Sequence, residues 1–283
     1  MWQIVIHSLF FLLLLSSHTL AQSGFNPEYM GNGSPGPFNS FCVKTFASYF
    51  YQEGIEAHDA EIAIEPQYFF SGFKRDESDE FLFFAHLPIG FRSEDNLGQT
   101  SSVGGIGTLS AGLEYFRRVR KTESSKLWID NGMVFGFPTA TRREGIRIGG
   151  NAYSVTYFQE MFYQKDKWIF SVVPIAAGWG FRDDKTNERA GFSLSFANAA
   201  WGRMISSKLW MGVNHGVSLG KVFGSDDTSG NSLDRTLRAY VGPAGAYSFT
   251  PRWFLQFGSV FDVVTRHSNR GQGVFLALWH HML

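Results

Sequence analysis

The sequence predicts an all-β protein, an up-and-down antiparallel transmembrane β-barrel of about twelve strands. Three observations predict it. Apolar and polar residues alternate within segments, the predicted strands are long enough to cross a membrane, and short and long connections alternate along the chain. The alternation is clearest in residues 192–219, where large apolar residues alternate with Ser193, Ser195 and Ala197. A two-residue period puts the apolar side chains on one strand face and the small or polar ones on the other.

Composition supports this fold class and excludes several functions. Of 283 residues, 44% are hydrophobic, 17% are aromatic and 31 are glycine, which favours a large antiparallel β structure. Lys plus Arg and Asp plus Glu are both 25, so no basic field exists for nucleic acid and no such partner is expected. The single cysteine, Cys42, excludes an internal disulfide framework, and no Cys/His cluster indicates zinc. We expect no cofactor and no metal.

The N-terminus predicts export. Residues 9–15 are an unbroken apolar run, and Thr19 and Ala21 are placed as the small residues of a cleavage site. Residues 1–21 therefore predict a secretory signal peptide, too short for a membrane span. No Lys or Arg precedes the apolar run, so an uncleaved anchor and a wrongly chosen start codon remain alternatives.

Two further regions follow the predicted signal peptide. Residues 22–39 are rich in Gly, Pro, Asn and Ser, which predicts an irregular leader. This leader either dangles or tucks into the cavity that the strands enclose. No later stretch approaches the roughly 20 apolar residues of a membrane helix, so strands this apolar on one face must either pack in a sandwich or face lipid. We assign residues 40–283 to a single outer-membrane β-barrel.

Alternating segments run through the barrel region almost without interruption. Most exceed the five or six residues usual in sandwich strands and match the length of membrane-spanning strands. The predicted strands are 41–51, 61–70, 80–91, 105–117, 127–137, 152–163, 168–179, 190–201, 208–220, 235–247, 253–263 and 273–283.

The connections in the second half alternate in length. The short ones are 164–167, 202–207 and 248–252, and the longer polar ones are 182–189, 221–234 and 264–272. Short periplasmic turns and long outer loops are typical of barrels in the bacterial outer membrane, where membrane lipid is the surrounding partner. In the first half, 71–79 and 118–126 are assigned to the periplasmic side, although they are long and charged.

Tryptophans and the last strand give additional hints. Trp201 and Trp210 share the face of the serines and glycines, so parity predicts that they point inward. The last strand, 273–283, is apolar on both faces, and its sequence alone does not orient it. Its alternate apolar positions resemble the signal read by the barrel-assembly machinery, an expected partner, except at His281 and Leu283. Six tryptophans at predicted periplasmic strand ends suggest an aromatic girdle: Trp128, Trp168, Trp201, Trp210, Trp253 and Trp279.

The polar strand faces are expected to line the lumen. A charge on that face is tolerable only if it is wet or paired. Either the lumen is an acidic-leaning channel for cations or neutral solutes, or the carboxylates are paired in a closed interior. Twelve strands leave room for solute or for a plug formed by the leader, and we expect a narrow channel for small solutes. The candidate lumen-lining residues are Glu61, Glu65, His86, Glu114, Asp130, Glu160, Asn214, Arg238, Tyr240, Gln256 and Asp262.

A family resemblance points the same way. The segments GGIGTLSAGLEYFRR at 104–118 and MVFGFPTATRREG at 133–145 resemble an outer-membrane family of transporters associated with the phenol-degradation meta pathway. Thr108 and Ala140 stand where that family usually has Asp and Gly. The resemblance implies uptake of hydrophobic or aromatic compounds. The matching positions are Gly105, Gly107, Gly112, Tyr115, Pro138 and Thr139.

Two other classes of function remain as alternatives. His267 and Ser268 resemble the catalytic pair of outer-membrane lipid acyl hydrolases, but adjacent residues in a strand lie on opposite faces. No catalytic residue is therefore assigned. A structural or adhesive barrel would act through its outer loops, 142–151 and 226–234.

Overall fold

A computed structural model describes the protein over residues 40–54, 56–71, 73, 79–96, 99–122, 124–143, 146–148, 153–181, 191–222, 235–250, 252–266 and 270–282. The predicted signal peptide and leader, residues 1–39, lie outside this part of the chain. None of the described residues forms a helix long and apolar enough to cross a membrane.

Fifteen β-strands make up the described secondary structure. Most have twelve to eighteen residues. They are β1 (Ser40–Gln52), β2 (Ala57–Ser71), β3 (Asp79–Asn96), β4 (Gln99–Ile106), β5 (Ser110–Lys121), β6 (Ser125–Gly136), β7 (Arg142–Arg143), β8 (Ile146–Arg147), β9 (Ser154–Lys165), β10 (Trp168–Gly180), β11 (Gly191–Met204), β12 (Leu209–Val222), β13 (Arg235–Thr250), β14 (Trp253–Arg266) and β15 (Gly271–Met282).

Twelve of these strands close into an antiparallel barrel, as predicted. Each pairs with its neighbours along the chain, and β1 pairs with β15 on one side and with β2 on the other. Phe41 lies opposite Met282 at this seam. The remaining strands are β4, which forms an antiparallel hairpin with the second half of β3, and the small β7–β8 hairpin that follows β6.

The two ends of the barrel differ. The turn end contains Ser40 and Met282 and carries the short connections 166–167, 205–208 and 251–252. The opposite end is called the loop end. The predicted long connection at 118–126 is wrong: β5 continues to Lys121 and β6 begins at Ser125, so only residues 122–124 connect them. Side-chain and backbone hydrogen bonds between Thr122 and Ser125 close this tight turn.

The predicted strand at 105–117 is also wrong as a single element. It is β4 followed by β5, because β3 is long enough to pair with β5 in its turn-end half and with β4 in its loop-end half. Residues 107–109 leave the ladder between them. Their backbone groups bond elsewhere: Gly107 N donates to Pro88 O, and Leu109 N donates to the Thr139 hydroxyl.

A β-bulge in β11 changes which residues face inward. Ala197 has a φ of 52°, and the register with β12 shifts between Phe196 and Ala199. One extra residue reverses the alternation beyond the bulge. Ser193 and Ser195 are therefore buried on one side of it and Asn198 on the other, whereas Trp201 is 43% exposed. The prediction that Trp201 points inward is wrong for this reason.

Barrel closure orients the last strand, whose sequence is apolar on both faces. In β15 the buried residues are Phe275, Ala277, Trp279 and His281, while Leu276 is half exposed. Because β15 pairs with β1 and β14 in the closed barrel, its buried face is the inner one.

Candidate functional site: the barrel interior

The outer surface is an apolar belt. In the longer strands, exposed or half-exposed large apolar side chains largely alternate with buried residues, as in Phe81 to Ile89 of β3. Water would not favour so much exposed apolar surface, whereas lipid does. Members of this belt include Ile62, Ile64, Phe83, Leu87, Ile89, Leu113, Met133, Phe135, Phe170, Ile175, Val241, Phe261, Val274 and Leu276.

The candidate lumen-lining residues all lie on the opposite face. Nine of them are buried, the Glu61 side chain is 18% exposed and the Asp262 side chain is 1% exposed. Whether they line a solute path stays a prediction. The structure groups eight of them into three sets and adds partners that the sequence analysis did not select: Lys44, Arg92 and Ser171.

The first set is an ion-pair network on β1, β2 and β3. Lys44 Nζ lies 2.5 Å from Glu65 Oε2, and His86 Nδ1 lies 2.7 Å from Glu65 Oε1. His86 Nε2 is 3.4 Å from Glu61 Oε1. Lys44 could have been found from the sequence, because it shares the parity of Cys42 and Phe46, which are both buried.

The second set, the acidic cluster, is formed by Glu114, Asp130 and Glu160 on β5, β6 and β9. Asp130 lies directly opposite Glu160 in the β-ladder, and the Glu114 and Asp130 carboxyls are hydrogen-bonded to each other. The Ser171 hydroxyl of β10 donates to Glu160. We call the inner wall formed by the acidic cluster, Lys44 and Glu65 the waist.

The third set lies toward the loop end. Arg238 pairs with Asp262, whose Oδ2 accepts a hydrogen bond from Gly271 N at 2.8 Å. On the other side of the barrel seam, Arg92 pairs with Asp59 at 2.9 Å and with Glu94 at 2.5 Å. Arg92 and Arg238 are thus each matched by at least one carboxylate.

Tyr240, Asn214 and Gln256 are the predicted positions outside the three sets. The Tyr240 hydroxyl lies 3.2 Å from Asn198 Oδ1, two strands away. This contact crosses Gly216 of β12, where a Cβ would lie 2.6 Å from the Tyr240 hydroxyl oxygen. A side chain at position 216 would separate the two partners.

Large apolar side chains fill the inner face at the turn end, and we call this layer the aromatic floor. The girdle prediction is correct only for Trp168, Trp201 and Trp253, which are exposed on the outer surface. The other three tryptophans are buried inside, because each lies at an inward-facing strand position near the turn end. The floor consists of Phe69, Leu82, Phe116, Trp128, Phe162, Ile169, Trp210, Phe254 and Trp279.

Three residues of the family resemblance, Gly105, Gly107 and Thr139, lie together at the loop end. The Thr139 hydroxyl donates to Gly107 O at 2.9 Å, and Thr141 Oγ1 accepts from Ile106 N at 2.9 Å. Gly105 has a φ of 154°, and a Cβ there would lie 2.8 Å from Thr141 Cβ. Glycine is therefore required where the segment after β6 folds back onto β4.

Several inner polar atoms have no hydrogen-bond partner among the described residues. They include Gln67 Oε1, Asp130 Oδ1, Gln256 Oε1 and both side-chain polar atoms of Asn214. Each of these side chains is at least nine-tenths buried. Such atoms are costly in a dry interior, at about 1–3 kcal/mol each, and are satisfied in a wet one.

Other candidate chemistry is limited in the described chain. No group of three or more His, Cys, Asp or Glu residues there is arranged to hold a metal ion. The His267 and Ser268 pair lies outside the described residues, as do most residues of the two long outer loops.

A closed barrel with an apolar outer belt and a polar inner waist defines an outer-membrane β-barrel. The outer membrane channel from Pseudomonas putida F1 has the same fold, with a TM-score of 0.70 and 12% identity over 89% of this chain and 98% of that one. The transport unit of the autotransporter AIDA-I from Escherichia coli aligns with a TM-score of 0.51 and 10% identity over 85% of this chain and 90% of that one.

Sequence comparison identifies the family. The family model described as "Putative MetA-pathway of phenol degradation" matches residues 66–278. The chain belongs to this family, as its motifs suggested. No match was found among the curated proteins.

Proposed function

We propose that the protein is a channel of the bacterial outer membrane that passes small solutes through its lumen, with aromatic and hydrophobic compounds as the solute class. The proposal combines the barrel with the chemistry of its inner wall. It assigns transport to the lumen rather than to the outer loops.

The unpartnered polar atoms of the inner wall carry this proposal. Gln67, Asn214 and Gln256 come from strands on different sides of the barrel, and all have polar atoms without a partner among the described residues. A wall of this kind is stable when water or a solute supplies the missing hydrogen bonds. A wet lumen is the first requirement of a channel.

The solute class rests on the aromatic side chains that share this lumen. Phe84 and Phe158 lie over the inner faces of Gly112 and Gly132, so their rings are held against the wall. Below them lies the aromatic floor. An aromatic solute would find ring surfaces beside polar groups, which is the usual composition of small-molecule sites. The family description, which refers to phenol degradation, agrees with this class.

The aromatic floor also explains why only small solutes are expected to pass. Trp128 and Trp210 are completely buried within it, and the Arg118 guanidinium lies 5.5 Å from the Trp128 ring centroid. Large side chains from nine strands narrow the turn end. A solute must pass between these rings or displace them.

Planar-bilayer conductance of the purified protein tests the proposal, together with swelling of lipopolysaccharide-containing proteoliposomes. We expect discrete channel conductance, and faster entry of 4-hydroxybenzyl alcohol than of arabinose. Trp210→Ala removes a floor side chain and should raise conductance. The matched control is Trp201→Ala on the neighbouring strand, whose side chain faces outward and whose loss should leave conductance unchanged.

Two results would contradict the proposal. The first is folded protein, verified by heat-modifiable migration in gels, that shows no conductance and no solute entry with either solute. The second is an equal change of conductance in Trp201→Ala and Trp210→Ala, which would place the conducting path outside the lumen.

A further inference from the structure

We propose that the waist binds an organic cation, specifically a primary ammonium group carried on an aromatic compound. The acidic cluster would hold the ammonium group, and Phe84 and Phe158 would contact the ring. This inference rests on the proposed channel function and narrows its solute class to aromatic amines.

The charge of the acidic cluster favours a cationic ligand. Glu114, Asp130 and Glu160 bring three carboxyl groups together on neighbouring strands. Within the described residues, no Lys, Arg or His lies at ion-pair distance from Glu114 or Asp130. The hydrogen bond between the Glu114 and Asp130 carboxyls requires a proton on one of them, so the cluster holds fewer negative charges than carboxyl groups. A cationic ligand would stabilise the negative charge that remains.

The cations of the inner wall are held in ion pairs with other carboxylates, and Lys44 is in addition close enough to Glu114 to interact with it electrostatically. Lys44 is held by Glu65 at 2.5 Å and lies 5.0 Å from the Trp279 ring centroid. Arg92 and Arg238 pair with carboxylates toward the loop end. Rearrangement of any of them toward the acidic cluster would break an existing ion pair.

An unpartnered oxygen in the acidic cluster favours a ligand that carries N–H donors. Asp130 is 4% exposed, and its Oδ1 has no partner among the described residues. Since the hydrogen bond to Glu114 uses the other oxygen of Asp130, Oδ1 is left as an acceptor, and an ammonium group would supply an N–H donor for it.

Two aromatic rings lie next to carboxyl groups of the acidic cluster. Asp130 and Gly132 share the inner face of β6, and a Cβ at Gly132 would lie 2.9 Å from Phe158 Cε2. Glu114 and Gly112 likewise share the inner face of β5, and the Phe84 ring lies over Gly112. Each carboxyl thus has a ring beside it along the strand. Ring faces attract cations and also pack against an aromatic ligand.

The arrangement favours an organic cation over a metal ion. The described carboxylates and histidines form no group with metal-binding geometry. A metal ion would also make no use of Phe84 or Phe158, whereas an aromatic amine engages both the acidic and the apolar parts of the waist.

Current block in planar bilayers tests the inference, with 2-phenylethylammonium as the probe in potassium chloride. We expect block at lower concentrations than with the neutral 2-phenylethanol or the anionic phenylacetate. Asp130→Asn and Glu114→Gln should each raise the half-blocking concentration about tenfold. Phe158→Leu should weaken block by 2-phenylethylammonium more than block by methylammonium, which lacks a ring.

The matched control is Glu94→Gln, which removes a carboxylate at the loop end and should leave the half-blocking concentration within twofold. The inference is overturned if 2-phenylethanol or phenylacetate blocks as well as the amine. It is also overturned if folded Asp130→Asn and Glu114→Gln both bind the amine like the unsubstituted protein.

Titration calorimetry of the detergent-solubilised protein separates this inference from the channel proposal. Binding of 2-phenylethylammonium by protein that shows no conductance would retain the site and reject the channel. Conductance without any measurable binding or block would retain the channel and reject the site.

Discussion

The guanidinium carbon of Arg238 on β13 lies 4.7 Å from the centroid of the Phe50 ring on β1. Two strands, β14 and β15, lie between them in the barrel. The contact is possible because Gly271 and Gly273 leave the inner face of β15 bare beneath the Phe50 ring. A cation–π contact therefore spans the wall at the loop end, next to the ion pair of Arg238 with Asp262.

Gly273→Ala is expected to destabilise the barrel by about 1–3 kcal/mol, because its Cβ would lie 2.6 Å from Phe50 Cδ2 and 2.9 Å from Tyr49 O. Equilibrium unfolding in urea, with the protein in phospholipid bilayers, measures this change. Gly104→Ala is the matched control, since its Cβ would have no neighbour closer than 3.8 Å, and it should change stability by less than about 0.5 kcal/mol. Equal effects at the two sites would contradict the packing argument.

Lys44→Met is expected to cost about 3 kcal/mol of unfolding free energy, because it leaves the buried Glu65 carboxylate without its closest cation. The same unfolding measurement applies. The double variant Lys44→Met, Glu65→Gln removes both charges and should regain part of the loss. A double variant as unstable as the sum of the two single variants would show that the ion pair contributes no coupling.

The loop-end pair Arg238 and Asp262 should influence ion selectivity in opposite directions. Asp262→Asn leaves an uncompensated cation near this mouth and is expected to lower the potassium-to-chloride permeability ratio about two- to threefold, while Arg238→Gln should raise it. Reversal potentials across a potassium chloride gradient give the ratio. Shifts of the same sign in both variants would show that structural damage, rather than charge, controls selectivity.

Leu276→Arg should hinder membrane insertion more than Met282→Arg. Leu276 is 50% exposed on the outer belt, well inside β15, whereas Met282 is 41% exposed at its turn end. An arginine facing lipid costs about 2–4 kcal/mol near the midplane and about 0–1 kcal/mol near the interface. Folding titrations into liposomes measure both. Equal costs would mean that the two positions lie at the same membrane depth.

Local periodicity was sufficient to predict the wall of the barrel. Alternation in 192–219 placed Ser193, Ser195 and Asn214 on the face that the structure buries, and strand length predicted a membrane barrel. The carboxylates of the waist also followed from parity. Lys44 obeys the same parity and could have been selected, since it lies at an inner position of a predicted strand. Arg92 lies one residue beyond the predicted strand 80–91, and only the observed length of β3 includes it.

Partner choice across the barrel could not be predicted from local pattern. The acidic cluster was assembled from β5, β6 and β9, and the β7–β8 hairpin interrupts the chain between the last two. The aromatic floor similarly collects side chains from nine strands. Periodicity assigns a residue to a face, whereas the register and closure of the strands decide which residues of that face meet.

The sequence by itself determined the fold class, the two chemically distinct strand faces and the family motifs, because a two-residue period and the local conformation of glycine are properties of short segments. Only the tertiary structure decided that Trp201 faces outward while Trp210 faces inward, because the bulge at Ala197 reverses parity between them. It also oriented β15, since both of its faces are apolar and only pairing with β1 and β14 fixes which one is inside.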